Sequence, residues 1–207
     1  MSELAVPQPD VSTTPQPAWD VALLFPPQGQ WSEADYLWLD ANRESKRLME
    51  FSNGFIEVLD MPSQIHQVVI AFLYRALFQF VMARDLGTVL FAGLRVRLGP
   101  GMMREPDVVF MRRENDHRRN NDYWDGADLV MEVVSTNREH DWVTKRKEYA
   151  EAGIPEYWIV DPSLEKITVL TLNGNRYDEH GVFGRAAMAG SVLLPGFEVA
   201  VEDVFRQ

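Results

Sequence analysis

The sequence predicts a mixed-sheet α/β domain, and three observations support this fold class. A strongly periodic helix begins near Ser63, several strand-like segments follow it, and a second helix then leads into further strands. Helix, strands, helix and strand in this order indicate layers of both element types around one core. The chain of 207 residues is long enough for one full core and too short for two. We therefore expect one domain over residues 31–207, after a poorly ordered or peripheral segment at residues 1–30.

The first predicted elements are a short helix and a hairpin. Ser32 is a suitable N-cap for a helix that runs to about Asp40. Asn53-Gly54 supplies the positive φ angles of a tight turn, and this dipeptide predicts a β-hairpin over residues 47–59.

The long helix carries the strongest periodic signal in the chain. From Ser63 onward, apolar residues recur at intervals of three and four, which predicts an amphipathic helix that ends near Gly87. Five strands and one more helix are predicted after it, with a loop at residues 112–126. The predicted strands are 88–98, 106–111, 128–134, 157–160 and 167–172, and the second helix is 138–152.

Composition and charge restrict the class of protein. The chain has no cysteine, which excludes disulfides, thiolate zinc sites and a cysteine nucleophile. Its longest apolar run, residues 68–74, is too short for a membrane span, and no basic residue precedes Arg43 to form a signal peptide. We therefore expect a cytoplasmic protein without membrane association. The net charge of −11 argues against a protein that coats nucleic acid non-specifically.

One segment is basic despite the acidic total. Residues 95–119 contain seven arginines and four acids. Arg95 and Arg97 are two positions apart, so a strand would place them on one face. There they could contact a phosphate backbone; the alternative is ordinary solvated surface.

Two carboxylates fall on strands that are otherwise almost wholly apolar. Asp107 precedes Val108-Val109-Phe110, and Glu132 lies within the apolar strand 128–134. A buried acid must be paired or bind a cation, because its desolvation is costly. On neighbouring strands the two acids would direct oxygen ligands at one point, as Mg²⁺ requires. Alternatively, Asp107 caps a turn after Pro106 and Glu132 pairs with an arginine.

The second helix adds a polar stripe. Asp141, Lys145 and Tyr149 are four residues apart, so they lie near one helical face. An exposed Asp–Lys pair is the simpler interpretation. A lysine beside two metal-bound carboxylates would instead orient or deprotonate a water and offset phosphate charge.

The order of these motifs resembles the PD-(D/E)xK nuclease superfamily, and more closely a large bacterial family of restriction-endonuclease-like proteins within it. The resemblance covers about residues 32–205, and its specificity comes from the combined order of the motifs. The matching residues are Glu50, His66, Glu105-Pro106-Asp107-Val108, Glu132-Val133-Val134-Ser135, the run from Asp141 to Pro162, and Leu194-Pro195-Gly196-Phe197. Val134 stands where the superfamily commonly has a lysine, and the resembled family places that lysine on the following helix. Ser135-Thr136-Asn137 also departs from the Ser-Pro-Ser-Thr of many relatives.

The resemblance implies a restriction-endonuclease-like core, with a mixed β-sheet flanked by helices, and Mg²⁺-dependent cleavage of DNA. It implies that Asp107 and Glu132 bind Mg²⁺, with Mn²⁺ as a substitute. Lys145 would assist the nucleophilic water, and Glu50 would complete the metal shell or support it. The implied auxiliary residues are His66, Asp141 and Tyr149. The resemblance further implies a homodimer, because such folds often cut two strands by pairing two copies.

Three function classes remain open from the sequence. The leading hypothesis is the Mg²⁺-dependent DNA endonuclease, which the joint presence of Asp107, Glu132 and Lys145 favours. The second is a catalytically silent module that keeps the fold for DNA binding or protein interaction, which the net charge of −11 favours. The third is an acidic metal-dependent hydrolase that acts on a phosphate outside nucleic acids.

Overall fold

The structure is a computed structural model that describes residues 25–44, 47–135 and 140–206, apart from the side chains of His140 and Asp141. Most of the predicted N-terminal segment, residues 1–24, lies outside the described residues. The described α-helices are α1 (Glu33–Asn42), α2 (Gln64–Arg84), α3 (Lys145–Glu151) and α4 (Val201–Val204). A 3₁₀-helix covers Arg113–Arg118, and a π-helical turn, His140–Thr144, precedes α3.

Thirteen strands lie within the described residues, most of them short. They are β1 (Met49–Ser52), β2 (Phe55–Val58), β3 (Gly87–Phe91), β4 (Val96–Gly99), β5 (Met102–Arg104), β6 (Val108–Arg112), β7 (Trp124–Asp125), β8 (Leu129–Val133), β9 (Glu156–Asp161), β10 (Lys166–Asn173), β11 (Arg176–Phe183), β12 (Met188–Gly190) and β13 (Glu198–Ala200).

The central sheet has six strands in the order β11-β10-β9-β8-β6-β3. It is mixed, because β8 and β9 run parallel while the other neighbours run antiparallel. A second sheet has the order β2-β1-β5-β4-β7, and β12 pairs with β13. The predicted mixed α/β class is therefore confirmed.

Alternation along the central strands divides the core into two layers. Val108 and Phe110 pack with α2 on one face of the sheet, whereas Val109 and Met111 belong to the cluster around α3 on the other. The sheet therefore lies between the two helices, as a strand buried on both faces requires.

Local sequence signals account for the helix ends and the hairpin. The Ser32 side chain accepts a hydrogen bond from the Asp35 backbone N–H and completes a capping box with Asp35, as expected. The Ser63 side chain accepts a hydrogen bond from the His66 backbone N–H at the start of α2. The residue that ends this helix in the left-handed conformation is Asp85, two residues before Gly87. Asn53 and Gly54 both have positive φ in the β1–β2 turn, which confirms the hairpin.

The prediction of one strand over residues 88–98 is wrong. The chain leaves the central sheet after Phe91 and turns through Gly93 at a φ of +100°. It then joins the second sheet as β4. The periodic apolar pattern runs through both pieces, so the pattern alone did not mark the change of sheet. Strands β5, β7, β11, β12 and β13 were not predicted either.

The second predicted helix is shorter than its sequence pattern. Residues 138 and 139 lie outside the described residues, His140–Thr144 forms a π-helical turn, and α3 begins at Lys145. Gly153, at a φ of +76°, follows the end of the helix, as predicted.

Helix α2 has an apolar stripe that belongs to the core. In the described part of the chain it is the one helix long and apolar enough to cross a membrane, by length and composition alone. Core helices meet the same criterion, and Val69, Leu73, Leu77 and Val81 are buried against the central sheet.

A close backbone approach at Gly87 yields a stability prediction. A Cβ atom at this position would lie 2.0 Å from the carbonyl oxygen of Met111 on β6, and φ is +153°. Gly87→Ala should lower the free energy of unfolding by about 2–3 kcal/mol, because strands β3 and β6 must separate. Chemical denaturation measures the change. Gly184→Ala is the control: its Cβ would meet nothing within 4 Å and its φ is not positive, so an equal loss there would contradict this account.

Candidate active site

The register of two neighbouring strands brings the predicted acids together. Val108 of β6 pairs with Met131 of β8 in an antiparallel ladder. Asp107 and Glu132 each lie one residue beyond that pair, on the same side of it. Both are buried, at 8% and 2% exposure. The structure therefore places the two carboxylates in the interior, where each needs a compensating partner.

Asp107 is held by groups from β8 and α2. Its Oδ2 accepts a hydrogen bond of 2.8 Å from the Val133 backbone N–H. His66 Nε2 lies 3.2 Å from the same oxygen and 3.0 Å from the Val133 carbonyl oxygen. Both neighbours are acceptors, so Nε2 carries the ring proton that donates to them. The first turn of α2 thus reaches the site through His66.

Glu132 is held by two side chains of α3. Its Oε1 accepts a hydrogen bond of 2.5 Å from the Tyr149 hydroxyl and lies 3.1 Å from Lys145 Nζ. Lys145 and Tyr149 are one helical turn apart and both are buried. Lys145 is therefore a buried residue and not half of the exposed Asp–Lys pair that was considered from the sequence. The side chain of Asp141 lies outside the described residues.

Glu50 joins the cluster from strand β1 and has no solvent exposure. Its Oε1 accepts a hydrogen bond of 3.3 Å from the Glu105 backbone N–H and lies 3.7 Å from Lys145 Nζ. Lys145 is thus shared by Glu50 and Glu132, which come from different sheets. Strand β1 therefore places Glu50 in the interior and not at the solvated face of the hairpin.

A second buried ion pair adjoins the cluster, and the sequence did not single it out. Arg104 donates two hydrogen bonds to Glu148 of α3, at 2.8 and 2.7 Å, and its NH1 lies 3.5 Å from Glu50 Oε2. Burial opposes the charge of Arg104, but Glu148 and Glu50 outweigh it and raise its pKa. A usable signal was present: Arg104 ends the apolar run Met102-Met103 directly before the Glu-Pro-Asp motif.

Other buried acids have local partners and no role at this cluster. Glu156 accepts hydrogen bonds from the Trp158 indole and from the backbone N–H groups of Val192 and Leu193. Asp128 accepts hydrogen bonds from the Arg112 backbone N–H and the Asn115 side chain. These carboxylates are fully compensated by fixed donors, as structural buried acids are.

Basic side chains lie beside all three buried acids: Lys145 between Glu50 and Glu132, Arg104 at 3.5 Å from Glu50, and His66 at 3.2 Å from Asp107. The strand register also brings the Asp107 and Glu132 carboxylates side by side, and carboxylate oxygens are donors that Mg²⁺ accepts. Among the described residues, no group of three or more His, Asp or Glu side chains is placed to hold a metal ion. A site of two carboxylates would leave the remaining positions of a bound Mg²⁺ to water.

Three further side chains near the cluster have displaced pKa values. Burial raises the pKa of Glu105 to about 7, and the charges of Asp40 and Glu50 act in the same direction. Burial lowers the pKa of His66, but the hydrogen bond and charge of Asp107 outweigh it, so the net pKa is raised. Burial, Glu132 and Glu50 raise the pKa of Tyr149 well above 10. Tyr149 therefore remains a hydrogen-bond donor to Glu132.

The two arginines that are predicted to contact phosphate form ion pairs with other acids and not with the acids of the cluster. Arg95 NH1 lies 3.0 Å from Asp40, and Arg97 Nε lies 3.1 Å from Glu33. Both partners belong to α1, so the two arginines face the same helix, as their spacing predicts. Their contact with nucleic acid stays a prediction.

Comparison with protein families gives one match over most of the chain. The family Uma2, described as "Putative restriction endonuclease", matches residues 33–202. Among proteins with curated descriptions, none matches this chain in sequence.

Comparison with solved structures supports the fold. A crystal structure of a "putative nuclease belonging to DUF820" from Anabaena variabilis matches with a TM-score of 0.69 and 18% identity, over 84% of this chain and 97% of that one. The type IIG restriction endonuclease BpuSI matches with a TM-score of 0.39 and 18% identity, over 70% of this chain and 18% of that one. The first match confirms the predicted restriction-endonuclease-like core, a mixed sheet flanked by helices.

The displaced pKa of Glu105 predicts how stability changes with pH. The folded protein keeps a proton on Glu105 up to about pH 7, whereas the unfolded chain releases it near pH 4.5. The unfolded state binds fewer protons in this interval, so stability falls as pH rises through it, by roughly 2 kcal/mol from this group. Glu105→Gln should remove that part of the fall, measured by chemical denaturation across the interval. Glu114→Gln, at an exposed acid, should retain it; equal pH profiles for the two variants would refute the assignment.

Proposed function

This chain belongs to the Uma2 family, and we propose that it is a Mg²⁺-dependent endonuclease that hydrolyses phosphodiester bonds of DNA. The observation that supports the proposal most directly is the buried cluster of Glu50, Asp107 and Glu132 around Lys145. Asp107 and Glu132 lie side by side on adjacent strands in the interior, where their carboxylate oxygens could bind a cation that offsets the cost of their burial.

Asp107 and Glu132 are the residues that would hold the ion, with Mn²⁺ as a substitute. When bound, Mg²⁺ activates a water molecule for attack and neutralises charge on the phosphate. Asp107 is oriented for this role by the Val133 N–H and His66, and Glu132 by the Tyr149 hydroxyl. Fixed partners hold the carboxylate oxygens in place and so reduce the cost of arranging them during the reaction.

Lys145 supplies positive charge to the reaction. Its ammonium lies between Glu50 and Glu132, 3.7 Å and 3.1 Å from their carboxylate oxygens. From that position Lys145 would stabilise the negative charge that develops on the phosphate and orient the attacking water. Glu50 keeps Lys145 in place from the other sheet, with Arg104 behind it.

DNA as the substrate follows from the family description and from the basic segment. Arg95 and Arg97 are the proposed phosphate contacts, and each would exchange its present acid on α1 for a phosphate oxygen. The net charge of −11 keeps non-specific attraction to DNA weak, which suits an enzyme that engages a limited stretch of backbone.

A catalytically silent module is the second candidate, and one observation favours it. No group of three or more ligand-type side chains is placed to hold an ion within the described ranges. A protein of this kind would keep the fold for DNA binding or protein interaction and would bind Mg²⁺ weakly. It predicts binding without cleavage, which the next experiment distinguishes.

The first functional prediction concerns Asp107. Asp107→Asn should abolish the nicking of plasmid DNA in Mg²⁺, because it keeps the side-chain shape and removes the charge that holds the ion. The readout is conversion of supercoiled to open-circular plasmid. Asp116→Asn, a matched change at a half-exposed acid, should cleave like the wild type. Nicking by Asp107→Asn at the wild-type rate would remove Asp107 from the mechanism, and no nicking by the wild type would favour the silent module.

The second functional prediction separates Lys145 from ion binding. Lys145→Ala should lower the cleavage rate by about a hundredfold or more, because it removes charge stabilisation at the phosphate. Its Mg²⁺ affinity, measured by calorimetry, should change little, since the carboxylates remain. Lys147→Ala, at an exposed lysine of the same helix, is the control. Loss of Mg²⁺ binding in Lys145→Ala would show that this lysine has a different role.

A further inference from the structure

A cavity of about 600 Å³ lies at the end of β6 that is remote from the candidate active site. Arg112, which lines the cavity, ends β6, whereas Asp107 precedes this strand, about 17 Å away along an extended chain. Arg84, the last residue of α2, also lines the cavity, and His66 in the first turn of that helix is about 27 Å away. The cavity is therefore separate from the cluster of buried acids.

The floor of the cavity is apolar. Six apolar side chains line it, and they come from α2, the turn after this helix, strand β6 and the loop before β13. They are Phe80, Leu86, Phe110, Leu193, Leu194 and Pro195. Small-molecule sites in proteins typically have volumes of about 300–1,000 Å³ and mostly apolar walls. The cavity therefore has the size and lining for a small molecule with an apolar body.

Hydrogen bonds to the backbone fix two walls of the cavity. Buried Glu156 accepts hydrogen bonds of 2.8 and 2.7 Å from the N–H groups of Val192 and Leu193. On the other side, the Leu86 carbonyl oxygen accepts a hydrogen bond of 2.9 Å from the Arg113 N–H. Walls that are fixed before binding lose little conformational entropy when a ligand enters.

The rim of the cavity is positive. It carries three arginines and two acids. Arg113 forms an ion pair with Asp85, and Arg112 NH1 lies 3.2 Å from the Glu114 carboxylate. Arg84 is the charge that remains after this pairing. A locally positive rim attracts an anion, although the whole chain carries −11.

Arg84 forms no ion pair with any of the described residues. Its guanidinium lies over the Phe80 ring, 3.9 Å from the centroid, and NH1 donates a hydrogen bond of 3.4 Å to the Phe80 carbonyl oxygen. The ring contact holds the guanidinium beside the cavity. A guanidinium has five N–H donors in a planar fork, which matches a carboxylate through two parallel hydrogen bonds.

We propose that this cavity, here called the Arg84 cavity, binds a small organic carboxylate with an aromatic or aliphatic body. Arg84 receives the carboxylate at the rim, and the body packs against Leu86 and Leu193. A sugar or nucleotide would leave its polar groups unpaired against the apolar floor, which is costly. An inorganic anion would leave the floor uncovered.

Calorimetric titration of the full chain, without DNA or Mg²⁺, tests the proposal independently of catalysis. The probes are 2-naphthoate for an aromatic body and decanoate for an aliphatic one. We expect carboxylate binding, with 2-naphthamide, the neutral counterpart of 2-naphthoate, at least about tenfold weaker. The amide keeps the apolar body but lacks the charge that pairs with Arg84.

Two variants locate the bound carboxylate. Arg84→Gln should weaken 2-naphthoate binding by at least about tenfold, whereas Arg75→Gln, at an exposed arginine of the same helix outside the cavity, should bind like the wild type. Leu193→Asp should abolish binding, because it places a negative charge on the floor. Its control is Val192→Asp, at a neighbouring residue that is 48% exposed and does not line the cavity.

Thermal melting confirms that each variant is folded. The proposal fails if neither carboxylate binds at millimolar concentration, or if 2-naphthamide binds as tightly as 2-naphthoate. It also fails if inorganic phosphate displaces 2-naphthoate at equal concentration, or if Arg75→Gln loses as much affinity as Arg84→Gln. Asp107→Asn should bind 2-naphthoate like the wild type, so the outcome does not depend on the proposed endonuclease activity.

Discussion

Burial of three carboxylates inside an apolar core is the constraint on which the rest of the structure depends. Glu50, Asp107 and Glu132 are each less than a tenth exposed, and an uncompensated charge at any of these positions would cost several kcal/mol. Their partners come from elements far apart in sequence: Lys145 and Tyr149 from α3, and His66 from α2. Compensation of all three acids therefore requires α2, α3, the central sheet and the second sheet together.

This constraint explains why the site lies where it does. Asp107 precedes β6 and Glu132 lies on β8, and the antiparallel register brings both to the same level of the sheet. The layer on one face supplies Lys145, and the layer on the other supplies His66. Helix α2 consequently has two roles: its inner stripe fills the core, and its first turn supports Asp107.

The sequence predicted the fold class and much of the local structure. The cap at Ser32 and the Asn53-Gly54 turn are local signals, and the structure confirms them. The proximity of Asp107 and Glu132 was also expected, because both acids interrupt apolar strands, and the family resemblance placed Lys145 beside them. Their role in binding Mg²⁺ and in cleavage remains a prediction.

Long-range contacts account for what the sequence did not reveal. The fork between Arg104 and Glu148 joins residues 44 positions apart, and no spacing rule connects them. The prediction of one strand over residues 88–98 was wrong because apolar periodicity records burial and not the sheet to which a residue belongs. The raised pKa of Glu105 depends on Asp40 and Glu50, which reach it only in the folded chain.

The most direct test of the central claim is thermal melting with and without Mg²⁺, for the wild type and for Glu132→Gln. If the buried acids form a cation site, Mg²⁺ should raise the melting temperature of the wild type as its concentration increases. The same additions should leave Glu132→Gln nearly unchanged, because one ligand charge is gone. Equal shifts in the two proteins, or no shift in the wild type, would contradict the account and would make the cluster a structural ion-pair network.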